Sequence, residues 1–125
     1  MLKQISFYKG KTNSSYISLV VQLSTIRVNV GDTFLQYYTL ISPSGVVVDL
    51  ASATIGVDVY DVSTGELFTS IDCAVVAPTS AGVVSFSVED AATTQGMYIL
   101  KFRVTDILGL MKTYPVNTDQ GFLVT

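Results

Sequence analysis

Cys73 is the single thiol in a chain of 125 residues that has no His. Nucleophilic catalysis needs a Ser, Thr or Cys beside a base that a third group orients, and the commonest base is missing. Cys73 lies in the apolar run Ile71-Asp72-Cys73-Ala74-Val75, where a free cysteine behaves as a small buried hydrophobe rather than a reactive thiolate. One Cys and no His leave neither an intrachain disulfide nor an ordinary zinc site. A pair of carboxylates could hydrolyse a glycosidic bond. The glutamates, however, are only Glu66, beside a turn glycine, and Glu89, at a strand end, and both positions have solvated or capping explanations. Asp58, Asp61 and Asp72 offer oxygens of the kind calcium uses, but without EF-hand spacing, and turn aspartates ordinarily bond their own backbone. Among the seven tyrosines, Tyr37, Tyr38 and Tyr60 are the candidates for a glycan-binding face. Their place within strands favours core edge or subunit contact instead. The expectation is a chain that is not an enzyme and takes no cofactor or metal.

Composition sets the wider frame. Only 14% of the residues are charged, 49% are hydrophobic, and the mean hydropathy is +0.49. That is more apolar surface than one small core hides comfortably, so part of it is expected to face other subunits. The best apolar run near the N-terminus, Ile17 to Leu23, is broken by Ser18 and Gln22 and lacks a small-residue cleavage site. It is read as neither a secretory signal nor a membrane anchor, and a soluble protein with no membrane partner is expected. Charge is uneven: Lys3, Lys9, Lys11 and Arg27 precede Asp32 with no acid among them, whereas ten acids and three bases follow, giving +4 and −7. A basic segment on an acidic body suits docking against an acidic neighbour, including another copy of the chain. The bases are too sparse for a nucleic-acid footprint.

The elements that must position these residues are strands. From Thr25 on, runs rich in Val, Ile, Thr, Tyr and Phe alternate with Gly, Pro, Asp and Ser, at the spacing of about eight to twelve residues found in β-sandwiches and barrels. No segment carries a 3.6-residue apolar stripe. Strands are predicted over 33–41, 46–50, 55–60, 66–71, 73–77, 84–88, 98–104, 110–114 and 121–125. Either face of the 33–41 strand could point inward. Turns are predicted at Ser42-Pro43-Ser44-Gly45, Asp61 to Gly65, Pro78 to Gly82 and Asp106 to Gly109, and one helical turn at Glu89 to Gly96. Phe86, Tyr98, Leu100 and Phe102 are the core residues, since Val84/Phe86/Val88 alternate with Ser85 and Ser87, and Tyr98/Leu100/Phe102/Val104 with Ile99, Lys101 and Arg103, in the period of a half-buried strand. In Gln95-Gly96-Met97-Tyr98 the tyrosine opens a strand directly after a glycine turn, where immunoglobulin-like sandwiches place a tyrosine corner. The fold expected is all-β, an immunoglobulin-like antiparallel β-sandwich over 24–125.

Residues 1–23 read separately, as an assembly arm or hairpin. Ile17, Leu19, Val21 and Leu23 make an alternating face behind a polar loop at 10–15, the kind of segment that adds a strand to an exposed sheet edge. Lys3, Phe7, Lys9, Lys11, Tyr16, Leu19 and Val21 of the arm, with Tyr37 and Tyr38 of the body, are the expected assembly contacts. A homo-oligomer follows from that reading.

In order, Gly31-Asp32-Thr33, Ser44-Gly45, Val48-Asp49-Leu50, Ala53-Thr54-Ile55, Gly82-Val83-Val84-Ser85-Phe86, Gly96-Met97-Tyr98, Phe102-Arg103-Val104-Thr105 and Tyr114-Pro115 form a pattern. It resembles the immunoglobulin-like N-terminal domain of phage baseplate upper proteins and related tail-fibre proteins. The resemblance spans roughly Gly31 to Val124. It implies a virion building block of the tail or baseplate, assembled in the host cytoplasm, a connector that contacts other virion proteins. The alternatives kept beside it are a capsid decoration protein and a module binding host glycans. The resemblance carries over no catalytic residue.

Overall fold

The computed structural model describes residues 24–116 and 118–125. The arm expected over 1–23, with Lys3, Phe7, Lys9, Lys11, Tyr16, Leu19 and Val21, lies outside the described residues. Eight strands follow in chain order: β1 (Ile26–Val28), β2 (Leu35–Thr39), β3 (Thr54–Asp61), β4 (Leu67–Val75), β5 (Val83–Ser87), β6 (Gly96–Thr105), β7 (Met111–Tyr114) and β8 (Gln120–Val124). They form one continuous path, β1-β8-β6-β3-β4-β5-β2, with β7 beside the second half of β6. The molecule is all-β, a curled mixed sheet closing half a barrel.

Period two explains the inner surface. Ile55, Val57 and Val59 of β3 lie opposite Val104, Phe102 and Leu100 of β6, and Ile55 and Val57 lie opposite Cys73 and Ile71 of β4. Because paired residues share a face, this one rule gathers the apolar side chains of three strands into a common layer. The curl comes from β4, which pairs with β3 from Leu67 to Cys73 and with β5 through Ala74 and Val75. Its last residues therefore swing β5 and β2 over β6. There Tyr38 stacks on Phe102, centroids 4.4 Å apart and planes 15° apart, and Phe86 meets Phe102 edge-on at 5.9 Å. Phe86, Tyr98, Leu100 and Phe102 are all buried.

Several elements depart from the sequence reading, each for a local reason. The segments 66–71 and 73–77 are one strand, β4, because Asp72 simply faces outward opposite Gly56. The 46–50 segment is no strand beyond a single bridge from Ile41 to Val47. Its backbone is satisfied elsewhere: Val48 N–H donates to the Leu40 carbonyl and Leu50 N–H to the Thr79 carbonyl. The turn expected at 89–96 closes at its start without lengthening into a helix: the Val88 carbonyl accepts from both Ala91 and Ala92 N–H, and those two small residues are buried. Finally, β1 pairs with β8 in parallel, so the purely antiparallel sheet is corrected there.

Candidate functional site

Three places hold groups that do more than pack. The first is the outer face of β3, β4 and β6. Arg103 Nε donates to Asp58 Oδ2 at 2.8 Å, and Ser70 Oγ donates to Asp58 Oδ1 at 2.7 Å. Gly56 stands directly opposite Arg103 in the register, and a Cβ there would come within 2.6 Å of Arg103 Nη2. The missing side chain is the seat of the guanidinium. The bond to Asp58 raises the Arg103 pKa further above its already high value. With one oxygen held by a guanidinium and the other by a hydroxyl, Asp58 is a strand-to-strand clasp.

Asp61 is committed to its own turn. Asp61 accepts from Ser63 N–H at 2.8 Å and Ser63 Oγ at 2.7 Å, which holds its carboxyl below the usual range. Among the described residues, no three His, Cys, Asp or Glu side chains converge closely enough to hold a metal ion. Cys73 is half-buried beside Ile55. Burial, helped by the Asp72 charge, pushes its thiol up to about 12.

The second place is a cleft of about 360 Å³ between the end of β2 and the loop after β7, lined by Tyr38, Leu40, Ile41, Pro43, Tyr114 and Val116 among others. The two-faced strand is resolved here: Tyr38 and Leu40 turn inward, whereas Phe34, Leu35, Tyr37 and Ile41 remain exposed. Tyr38, expected as an assembly contact, is half-buried and lines this cleft. Its ring stacks on Phe102 and its hydroxyl donates to Gln120 Oε1 at 3.0 Å; burial raises its pKa. Tyr37 is 58% exposed and free for contact. Tyr60 lies on β3 opposite Ile99, so the three tyrosines do not share one glycan platform.

The third place is the turn between β6 and β7, which the sequence reading took only as a tight turn. Asp106 Oδ1 accepts from Leu108 N–H at 2.9 Å and Leu110 N–H at 3.0 Å. Asp106 N–H donates to the Leu110 carbonyl, and Gly109 N–H donates to the Asp106 carbonyl. Gly109 sits at φ +82°, a conformation that suits glycine. This pinned turn holds Ile107, Leu108, Leu110 and Met111 in water at 78%, 80%, 66% and 58% exposure. The signal was legible: turns are normally polar, and this one reads Ile107-Leu108-Gly109-Leu110-Met111.

No family model matches the chain, and no curated protein matches it. Among solved structures, CopC from Methylosinus trichosporium OB3b is similar, with a TM-score of 0.46 and 20% identity over 80% of this chain and 82% of that one. The phage tail, baseplate or fibre connector expected from the sequence is corrected by that finding: the similar structure is CopC, not a phage structural protein. The physical reason lies in the motifs. Gly31, Gly45 and Gly82 have φ of +92°, +86° and +69°, so they mark turns that a β-chain of any lineage builds from glycine.

Proposed function

We propose that this chain is a non-enzymatic interaction domain, an immunoglobulin-like sandwich that works by protein–protein contact and associates with copies of itself. The observation that carries the reading is the β6–β7 turn, where Asp106 spends its carboxylate on fixing four apolar side chains in solvent. Contiguous exposed apolar surface marks contact sites in proteins, and a turn already ordered loses little entropy on binding.

Two further features support the sandwich. Tyr98 Oη donates to the Thr94 carbonyl at 2.8 Å, four residues upstream, the bond a tyrosine corner makes. The β2–β5 pair lies face to face with β6 through the Tyr38, Phe86 and Phe102 rings. The acidic carboxylates with resolved partners are spent on backbone or on Arg103 and Lys101, which favours a contact role over acid–base catalysis.

Sedimentation velocity on the full chain tests the reading. The weight-average mass is expected to rise across a dilution series from about 5 µM to about 1 mM, the range of a weak to moderate complex. A strictly monomeric chain at the upper end sinks it.

A further inference from the structure

We infer that the association is head to tail: the Ile107–Met111 turn of one copy enters the cleft at the end of β2 of the next. This deepens, and rests on, the interaction-domain reading. The chain carries both a knob and a hole. The knob is the pinned turn with its four apolar side chains in water. The hole is the cleft of about 360 Å³ whose walls include Leu40, Ile41, Pro43 and Val116. An apolar cavity of about 150 Å³ accepts a benzene ring, so this cleft has room for two branched aliphatic side chains such as Ile107 and Leu108.

Charge across the contact is complementary. Lys112 follows the turn and makes no ion pair with any described residue. Asp119, whose side chain is 61% exposed, follows Thr118 at the cleft. Seating the turn brings that cation toward an acid that also takes a hydrogen bond from Lys101 Nζ at 3.3 Å. The area agrees with a weak complex: burying two or three aliphatic side chains covers on the order of 500 Å² per partner, short of the roughly 800 Å² of a standard stable interface.

Turn and cleft lie at opposite ends of β7, the first before Met111 and the second at Tyr114 and beyond. Where each cleft takes the turn of the next copy rather than the two copies exchanging turns, the contact is heterologous and repeats into rings or open chains. Growth beyond a dimer with rising concentration is therefore expected.

Two single variants decide it. Leu108→Asp spoils the turn, and Thr118→Trp fills the cleft; both positions are exposed, and Pro43→Trp serves as a second cleft blocker if a far-UV spectrum shows Thr118→Trp misfolded. Each variant alone is expected to stay monomeric where the wild type associates, and an equimolar mixture is expected to restore a capped 1:1 dimer, because one supplies an intact cleft and the other an intact turn. Self-association of the cleft-blocked variant alone, or no rescue on mixing, overturns the head-to-tail contact while leaving the interaction-domain reading standing. A wild type that is monomeric overturns both. Co-sedimentation of that monomer with phosphatidylcholine–phosphatidylglycerol vesicles, lost in Leu108→Asp, would assign the turn to a lipid surface instead.

Discussion

Phe102 is the residue on which both halves of the curled sheet rest, since it touches Tyr38 and Phe86 across the core and lies opposite Val57 and Tyr114 within its own layer. Phe102→Ala is expected to lower the unfolding free energy by about 3–5 kcal/mol, read from urea denaturation. A loss under about 1 kcal/mol would show that the rings do not join the two halves. Cys73 tests burial from another side. Its thiol is raised from 9.0 to about 12, so the neutral form is the one the fold favours. Its contribution is complete below pH 9 and disappears as pH climbs through 12, and alkaline titration is expected to weaken the fold across that window. At pH 8 iodoacetamide should modify the native protein at least about a hundredfold more slowly than the urea-unfolded chain, since the thiolate is the reacting species. Equal rates would contradict the burial. The core aromatics were legible in the sequence because alternation places them with no further information. The clasp of Arg103 on Asp58 was not, since nothing local tells a glycine that makes room from one that makes a turn.

At the scale of elements, β3, β5 and β6 could be read directly, each a run long enough for period two to show. Three-residue β1 could not, and neither could the failure of 46–50, whose Val46-Val47-Val48 looks like a strand until the Leu40 and Thr79 carbonyls take up the Val48 and Leu50 N–H groups. The β6–β7 turn shows what an element adds to its residues. Asp106→Ala keeps every apolar side chain of the turn and removes both carboxylate bonds that fix it. Self-association is expected to weaken several-fold, because the loosened turn must then be ordered on binding, with the thermal midpoint of the body nearly unchanged. Undiminished association would mean that the turn's shape is irrelevant to contact.

At the scale of the molecule, the all-β class followed from strand spacing, while the order of strands did not, because pairing β1 with β8 joins segments that no local pattern connects. That pairing is tied down on both sides: Gln120 Nε2 donates to the Ser24 carbonyl across 96 residues, and Thr125 N–H donates to the Val28 carbonyl. The lineage was illegible for a related reason, since turn glycines report backbone geometry rather than descent. The β1–β8 pairing also sets a clock. Ribosomes add about 5–20 residues per second, so the first strand emerges and then waits some five to twenty seconds for its partner to be made. Throughout that interval its edge is open to whatever chain passes nearby, and a nascent copy on the same messenger is the nearest candidate.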